Sequence, residues 1–233
     1  MDVELTFPGL DATTKTRVER TFAALKQRGI TPIYVPDRRV ALETVLGSIP
    51  KGSTVAHGSS TTLQEIGLVD RLKDPASGYR YLNPEWQTES DAMRRIRIRA
   101  KLSAEADYYL GSVQAICETG EVIGADHSGS RQAFYVYGPP HVIWVAGINK
   151  LVPNLEAGLR RVREVALPLE DQRMKRQGSP GSSIWQTRNL RTRATGAHHA
   201  RPGRRAPRIL TSSRLGRRLQ ELRQELVRVF DPQ

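Results

Sequence analysis

Three short turns, each placed after an apolar segment, combine glycine with hydroxyl, amide or charged side chains. They are Gly58-Ser59-Ser60-Thr61-Thr62, Asp126-His127-Ser128-Gly129-Ser130 and Gly147-Ile148-Asn149-Lys150. Backbone N–H groups and hydroxyls in such turns bind anions, and the neighbouring cations add charge-assisted contacts. We therefore predict a site for a small carboxylate or phosphate, with these ligand-binding residues: Gly58, Ser59, Ser60, Thr61, Asp126, Ser128, Gly129, Arg131, Asn149 and Lys150.

The first of these turns also has a purely structural interpretation. Ser60 or Thr61 is a typical helix N-cap, and Gly58 would then do no more than permit the turn. The turn lacks the Gly-Lys-Ser/Thr ending of a P-loop, so a nucleotide-binding motif is not indicated. Ligand binding and helix capping both stay open on the sequence.

Glu118 is the candidate catalytic residue. It is the one acid of an otherwise apolar hairpin turn, so its carboxylate is a candidate for catalysis or binding, although turn acids are usually solvated polar residues. Asp126 and His127 are a weaker acid–base pair, since adjacent side chains on an extended chain point to opposite sides. His57, at a strand end, is expected to be packed or to face solvent.

The chain has a single cysteine, Cys117, next to the apolar Ile116. One thiol excludes a disulfide within the chain and a cysteine-ligated zinc or iron–sulfur site, so Cys117 is expected in the core. His198-His199 would need further ligands to hold a metal. We therefore expect no cofactor and no metal. No signal-peptide pattern and no apolar run of 18 residues is present, which predicts a cytoplasmic protein without a membrane partner.

Strand and helix patterns alternate along the first 171 residues. Strands are predicted at 30–35, 53–57, 107–110 and 141–146, a hairpin at 114–123, and helices at 11–29, 38–47 and 152–166. Residues 74–87, with two prolines and a glycine, are predicted as a loop. Residues 95–99 alternate as a strand would, but the length and the start signal of 88–104 favour a helix, with the basic run 94–101 as a solvated face. This alternation predicts an α/β fold with a mainly parallel sheet and helices on both faces.

The charge of the chain is concentrated in its last quarter. After residue 171 there are 15 of the 36 Lys and Arg residues but three of the 24 acids, so the first 171 residues are neutral and the net charge of +12 belongs to the tail. We predict an α/β domain over 1–175 and an Arg-rich tail over 176–233, disordered at 178–208. The spacing of Leu215, Leu219, Leu222, Leu226 and Val229 predicts a short C-terminal amphipathic helix. Out-of-frame reading of GC-rich DNA gives a similar composition, so a frameshift at 185–208 is an alternative to a native tail.

Several of these segments together resemble the LUD domain family, a lactate-utilisation group. The likeness is carried by 58–67, 115–120, 126–131, Gly138-Pro139, 142–147 and 149–152, and it covers about residues 13–175. The resemblance implies a fold related to the sugar-phosphate isomerases and CoA-transferases, which bind anionic small molecules at strand-end loops. It also implies an accessory role in oxidation of L-lactate to pyruvate, as the non-redox companion of iron–sulfur subunits.

Two other function classes stay open. In the first, the protein is a transferase- or isomerase-type enzyme that uses Glu118, as carboxylates serve in the related transferases. In the second, the Arg-rich tail binds nucleic acid. The tail has one aromatic residue before position 230, Trp185, so base stacking is unsupported and a nucleic-acid partner is not expected.

Overall fold

A computed structural model describes residues 7–126, 130–136, 138–178, 181 and 224–230. The helices are α1 (Ala12–Lys26), α2 (Arg38–Gly47), α3 (Thr61–Glu65), α4 (Leu68–Lys73), α5 (Asn83–Gln87), α6 (Ala92–Glu105), α7 (Ser130–Val136), α8 (Leu155–Arg161) and α9 (Leu167–Arg176). The strands are β1 (Ile30–Val35), β2 (Thr54–His57), β3 (Arg80–Tyr81), β4 (Tyr108–Gly111), β5 (Ala115–Cys117), β6 (Val122–Ile123), β7 (His141–Gly147), β8 (Leu151–Val152) and β9 (Gln224–Phe230). Tight 3-10 turns lie at Pro75–Ser77 and Ile148–Lys150, and a π-helical turn, Val162–Ala166, joins α8 to α9.

Six strands form the main sheet, in the order β1-β9-β7-β4-β2-β3. Each pairing within it is parallel. Parallel neighbours need crossover connections, and the helices between the strands supply them. The predicted α/β fold with a mainly parallel sheet is confirmed.

Helices cover both faces of this sheet. On β4, Tyr109 packs into the core cluster that contains Phe22 of α1, whereas the next residue, Leu110, packs into the cluster that contains Val45 of α2. Successive side chains of a strand point to opposite faces, so each face needs its own apolar layer of helices. The prediction of helices on both faces is therefore also confirmed.

A smaller sheet of order β6-β5-β8 packs beside the first. Strands β5 and β6 form the predicted antiparallel hairpin, and β5 pairs in parallel with β8. Gly120 in the hairpin turn has φ 91°, and a β-carbon there would lie 2.8 Å from the carbonyl oxygen of Ala24. Both the backbone conformation and the close approach require glycine. The hairpin turn, which includes Glu118, is thereby held against α1.

The loop prediction for residues 74–87 is wrong, because β3 and α5 lie within it. The buried Asn83 amide explains the order of this segment. It accepts from the backbone N–H of His57 at 3.1 Å and donates to the His57 carbonyl oxygen at 3.0 Å. Pro84, in the first turn of α5, sits where the missing N–H costs no helical hydrogen bond. The hydrogen bonds of Asn83 with His57, which is distant in sequence, thus hold in place a segment whose proline and glycine content is typical of a loop.

The predicted C-terminal helix is wrong over residues 224–230, where the structure has strand β9. This strand lies between β1 and β7 and pairs with both in parallel. Consequently the main sheet includes a segment that the sequence assigned to the tail. Residues 215–223, and the stretches predicted as disordered or frameshifted at 182–208, lie outside the described residues. Within the described part, no helix is long and apolar enough to cross a bilayer.

The position of β9 makes a truncation informative. A chain that ends at residue 223 leaves β1 and β7 without their shared neighbour, so we expect it to lose the cooperative thermal unfolding transition of the full chain. Circular dichroism during heating measures this. Removal of residues 231–233, which leaves β9 whole, is the matched control. An unchanged melting temperature after truncation at 223 would show that β9 does not stabilise the sheet.

Candidate anion-binding site

Three neighbouring parallel strands have their carboxyl ends at the same edge of the main sheet. They are β2, β4 and β7, which end at His57, Gly111 and Gly147. Their register is fixed by the pairs His57↔Leu110 and Gly111↔Trp144. Ligands of open α/β sheets bind beyond the carboxyl ends of strands, so the turns that follow these strands define the candidate site.

Lys150 joins all three strand ends. Its Nζ donates to Thr62 Oγ1 at 3.0 Å and to Ser112 Oγ at 2.8 Å, and Ser112 Oγ in turn donates to Thr62 Oγ1 at 3.4 Å. Thr62 follows β2, Ser112 follows β4, and Lys150 follows β7. Among the residues that the structure describes, no carboxylate lies within 4 Å of this ammonium group. Its partners are thus neutral hydroxyls.

The environment of Lys150 disfavours the charged form of its amine. Burial, together with the positive charges of Arg161 and Arg131, lowers the pKa of Lys150 to about 8, whereas the negative charge of Glu65 opposes this shift. Desolvation penalises an ammonium that has no counter-ion. An anion bound beside Nζ would supply that counter-ion.

Arg131 lies near the turn after β2. A β-carbon on Gly58 would lie 3.2 Å from Arg131 Nε and 3.2 Å from Tyr109 Oη, so the loop passes closely over both groups. The backbone N–H of Arg131 donates to Asp126 Oδ2 at 2.7 Å, and its Nη2 lies 3.4 Å from Asp126 Oδ1. The structure therefore brings together Gly58, Asp126 and Arg131, three of the predicted residues.

The structure does not bring the other predicted ligand residues together in the same way. Ser60 caps α3, because its Oγ accepts from the Leu63 backbone N–H at 3.3 Å. Ser59, Thr61 and Asn149 are exposed. Ser128 and Gly129, like His127, lie outside the described residues. The capping interpretation of the first turn therefore holds for Ser60, and binding by its neighbours stays a prediction.

Glu118 belongs to a separate ion-pair group. Its buried carboxylate accepts from Arg17 Nε at 2.7 Å and from Arg20 Nη2, both on α1. Arg17 also donates to the Leu151 carbonyl oxygen at 3.2 Å. None of the charges that shift the pKa of Lys150 comes from Glu118. These contacts join the hairpin turn to α1 and β8, and the catalytic role of Glu118 stays a prediction.

His57 and Cys117 are buried side chains. The His57 ring contacts the Gly58 carbonyl oxygen through Nδ1 at 2.8 Å and Tyr81 Oη through Nε2 at 2.7 Å. Burial lowers the pKa of His57. Burial likewise raises the pKa of the Cys117 thiol to about 12, so this thiol is not a ready thiolate. A search of the described part finds no group of three or more His, Cys, Asp or Glu side chains that could hold a metal ion.

Sequence reasoning missed both hydroxyl partners of Lys150. A signal for each was present, since Thr62 ends the Gly58–Thr62 turn and Ser112 lies two residues after the predicted strand 107–110. The strand-end rule that selected Lys150 selects them too.

Comparison with known proteins identifies one family. A model described as the LUD domain matches residues 18–201. A crystal structure of a DUF162 family protein from Deinococcus radiodurans is similar, with 10% identity, a TM-score of 0.47, and coverage of 94% of this chain and 99% of that chain. No curated protein gives a significant match.

The lowered pKa of Lys150 predicts a pH-dependent stability. The native amine has a pKa of about 8 and the ordinary value is 10.5, so between these values unfolding takes up a proton. Rising pH then disfavours unfolding. Urea denaturation should show the unfolding free energy of the wild type rising, relative to that of Lys150→Met, between pH 8 and pH 10.5. Lys101→Met, which changes an exposed lysine, should track the wild type. A pH-independent difference would contradict the prediction.

The ion pairs of Glu118 predict a structural effect. Glu118→Gln weakens two charge-assisted hydrogen bonds at a buried carboxylate, so we expect a loss of about 1.5–3 kcal/mol of unfolding free energy, less any screening at the exposed Arg20. Urea denaturation measures it. Glu43→Gln, in an exposed helical pair with Arg39, is the control and should cost no more than about 0.5 kcal/mol. Equal costs would show that Glu118 does not stabilise the fold.

Proposed function

Because the chain belongs to the LUD domain family, which is associated with lactate utilisation, we propose that it binds a small carboxylate or phosphate at the strand ends around Lys150. We further propose that it is the non-redox companion of iron–sulfur subunits that oxidise L-lactate. The observation that carries the binding proposal is the ammonium group of Lys150, held by two neutral hydroxyls at the ends of three strands.

The charge balance around Lys150 supports an anionic ligand. Arg131 and Arg161 both act on this lysine, and Glu65 is the acid that opposes them. An anion placed against Nζ would restore the charged form of the lysine and would lie within reach of the Thr62 and Ser112 hydroxyls. Charge-assisted hydrogen bonds of this kind are stronger than those between neutral groups.

The companion role is supported by the cysteine content of the printed sequence. Cys117 is the single cysteine and is buried beside β8, whereas an iron–sulfur cluster needs several thiolate ligands. In a lactate-oxidising complex, electrons would therefore pass through clusters held by partner subunits. This chain would contribute the recognition of a small anion, and we propose the cytoplasm as its location.

The competing proposal is an enzyme that uses Glu118. Its carboxylate oxygens are engaged by Arg17 and Arg20, so a catalytic role requires that the substrate displace at least one arginine. Arg20 is exposed, so a substrate has access to the arginine that it would have to displace. Activity of a Glu118→Gln variant separates the two proposals, since the accessory role predicts no turnover that depends on this carboxylate.

Calorimetry with lactate, pyruvate, a sugar phosphate and coenzyme A tests the proposal. We expect at least one of these to bind the wild-type protein, and Lys150→Ala to weaken it ten- to a hundredfold, which corresponds to about 1.5–3 kcal/mol for one charge-assisted contact. Lys101→Ala is the control for loss of an exposed lysine. Unchanged affinities in Lys150→Ala would place the ligand elsewhere. Turnover abolished by Glu118→Gln with binding preserved would establish an enzyme and overturn the accessory role.

A further inference from the structure

The buried polar atoms that lack a hydrogen-bond partner in the described part of the chain are concentrated in one region. They lie on α6, β4, α7 and β7: Arg99 Nε, Ser103 Oγ, Tyr109 Oη, Arg131 Nε, Gln132 Nε2 and Trp144 Nε1. All of them are hydrogen-bond donors. Unpaired buried polar groups are rare and costly in folded proteins, so a cluster of donors indicates an acceptor that completes them.

Two of these donors face the turn after β2. Arg131 Nε and Tyr109 Oη each lie 3.2 Å from the position of a β-carbon on Gly58. Since residue 58 is glycine, this position holds no side chain. Tyr109 is fully buried and the Arg131 side chain is 11% exposed. The two donors therefore meet at a point from which solvent is largely excluded.

Arg99 approaches the same hydroxyl from α6. Helix α6 packs against α7, which carries Arg131, and Arg99 Nε on α6 is buried. In agreement with this packing, burial raises the pKa of Tyr109 and the positive charges of Arg99 and Arg131 oppose that rise. Asp126 pairs with Arg131 through the backbone N–H and Nη2, but not through Nε. Within the described residues Arg99 has no carboxylate within 4 Å. Among the described residues, these two guanidinium groups and the hydroxyl thus have one carboxylate paired with them, that of Asp126 on Arg131.

We propose that Arg99, Tyr109 and Arg131 form a second anion subsite beside the one at Lys150, and that the ligand is a phosphorylated organic acid. The inference rests on the proposed function and narrows its ligand class. Water would satisfy the donors but not the two positive charges, whereas a phosphate group offers several acceptor oxygens and negative charge. Gly58, which Arg131 Nε and Tyr109 Oη approach, and Thr62, which accepts from Lys150 Nζ, belong to the same turn after β2, so the two subsites are adjacent and one small molecule spans them. Its carboxylate lies at one subsite and its phosphate at the other.

The test uses two probes with the same carbon skeleton, L-lactate and 2-phospho-L-lactate, measured by calorimetry on the full chain. We expect the wild type to bind phospholactate at least tenfold more tightly than lactate. Arg99→Gln should lose most of that preference and change lactate affinity by less than twofold. Arg97→Gln, which changes an exposed arginine of the same helix, should preserve the preference.

The outcomes separate this inference from the proposed function. Equal affinities for the two probes, or equal behaviour of Arg99→Gln and Arg97→Gln, would overturn the second subsite. If Lys150→Ala still weakened binding ten- to a hundredfold in that case, the proposed function would stand without the second subsite. Failure of both probes to bind the wild type would overturn the inference, and the wider set of probes would then decide the proposed function.

Tyr109→Phe tests the second subsite without changing either of its arginines. The substitution keeps the buried ring and removes an unpaired hydroxyl, so without ligand its melting temperature should be no lower than that of the wild type. With saturating phospholactate the rise in melting temperature should be smaller than in the wild type. A lower melting temperature without ligand, together with an unchanged ligand-induced rise, would assign the hydroxyl to folding and overturn its place in the subsite.

Discussion

The contact of the Lys150 ammonium with the hydroxyls of Thr62 and Ser112 is the constraint around which the carboxyl edge of the sheet is arranged. It fixes the turns after β2, β4 and β7 relative to one another. The arrangement is unfavourable to the lysine itself, because burial without a counter-ion lowers its pKa. An apolar side chain in its place would avoid that cost. A charge held under these conditions is a feature of sites that acquire their counter-ion from a ligand.

The fold class followed from the sequence because its strands are marked locally. Strands β1, β2, β4 and β7 are short apolar runs bounded by turn residues, and such runs are typical of strands buried on both faces. Strand β9 could not be predicted in this way. The leucines at 215, 219, 222 and 226 have helical spacing, whereas the strand at 224–230 depends on pairing with β1 and β7, which are distant in sequence. Strand β3 and helix α5 likewise depend on the contact of Asn83 with the backbone of His57.

The candidate site was predictable to the extent that it depends on strand ends. Lys150, Arg131 and Gly58 were selected because they follow or face apolar strands. Arg99 and Tyr109 were not selected, because the local sequence already accounts for the residue type of each. Arg99 lies in a basic helical run and Tyr109 lies in an apolar strand. Their relation to each other is set by the packing of α6 against the sheet, and no local pattern records it.

The Glu118 group and the strand-end group around Lys150 and Arg131 differ in how completely their members are paired. The carboxylate of Glu118 meets two arginines of α1, and Arg17 also caps a carbonyl oxygen of β8, so the group is complete without a further partner. At the strand ends positive groups outnumber acids, and donors of Arg99 and Arg131 are unpaired within the described residues. Folding therefore leaves an excess of positive charge there that an anion would relieve. Any ligand that binds the native chain alone stabilises it, so the anion proposed above would stabilise the native chain through the incomplete group.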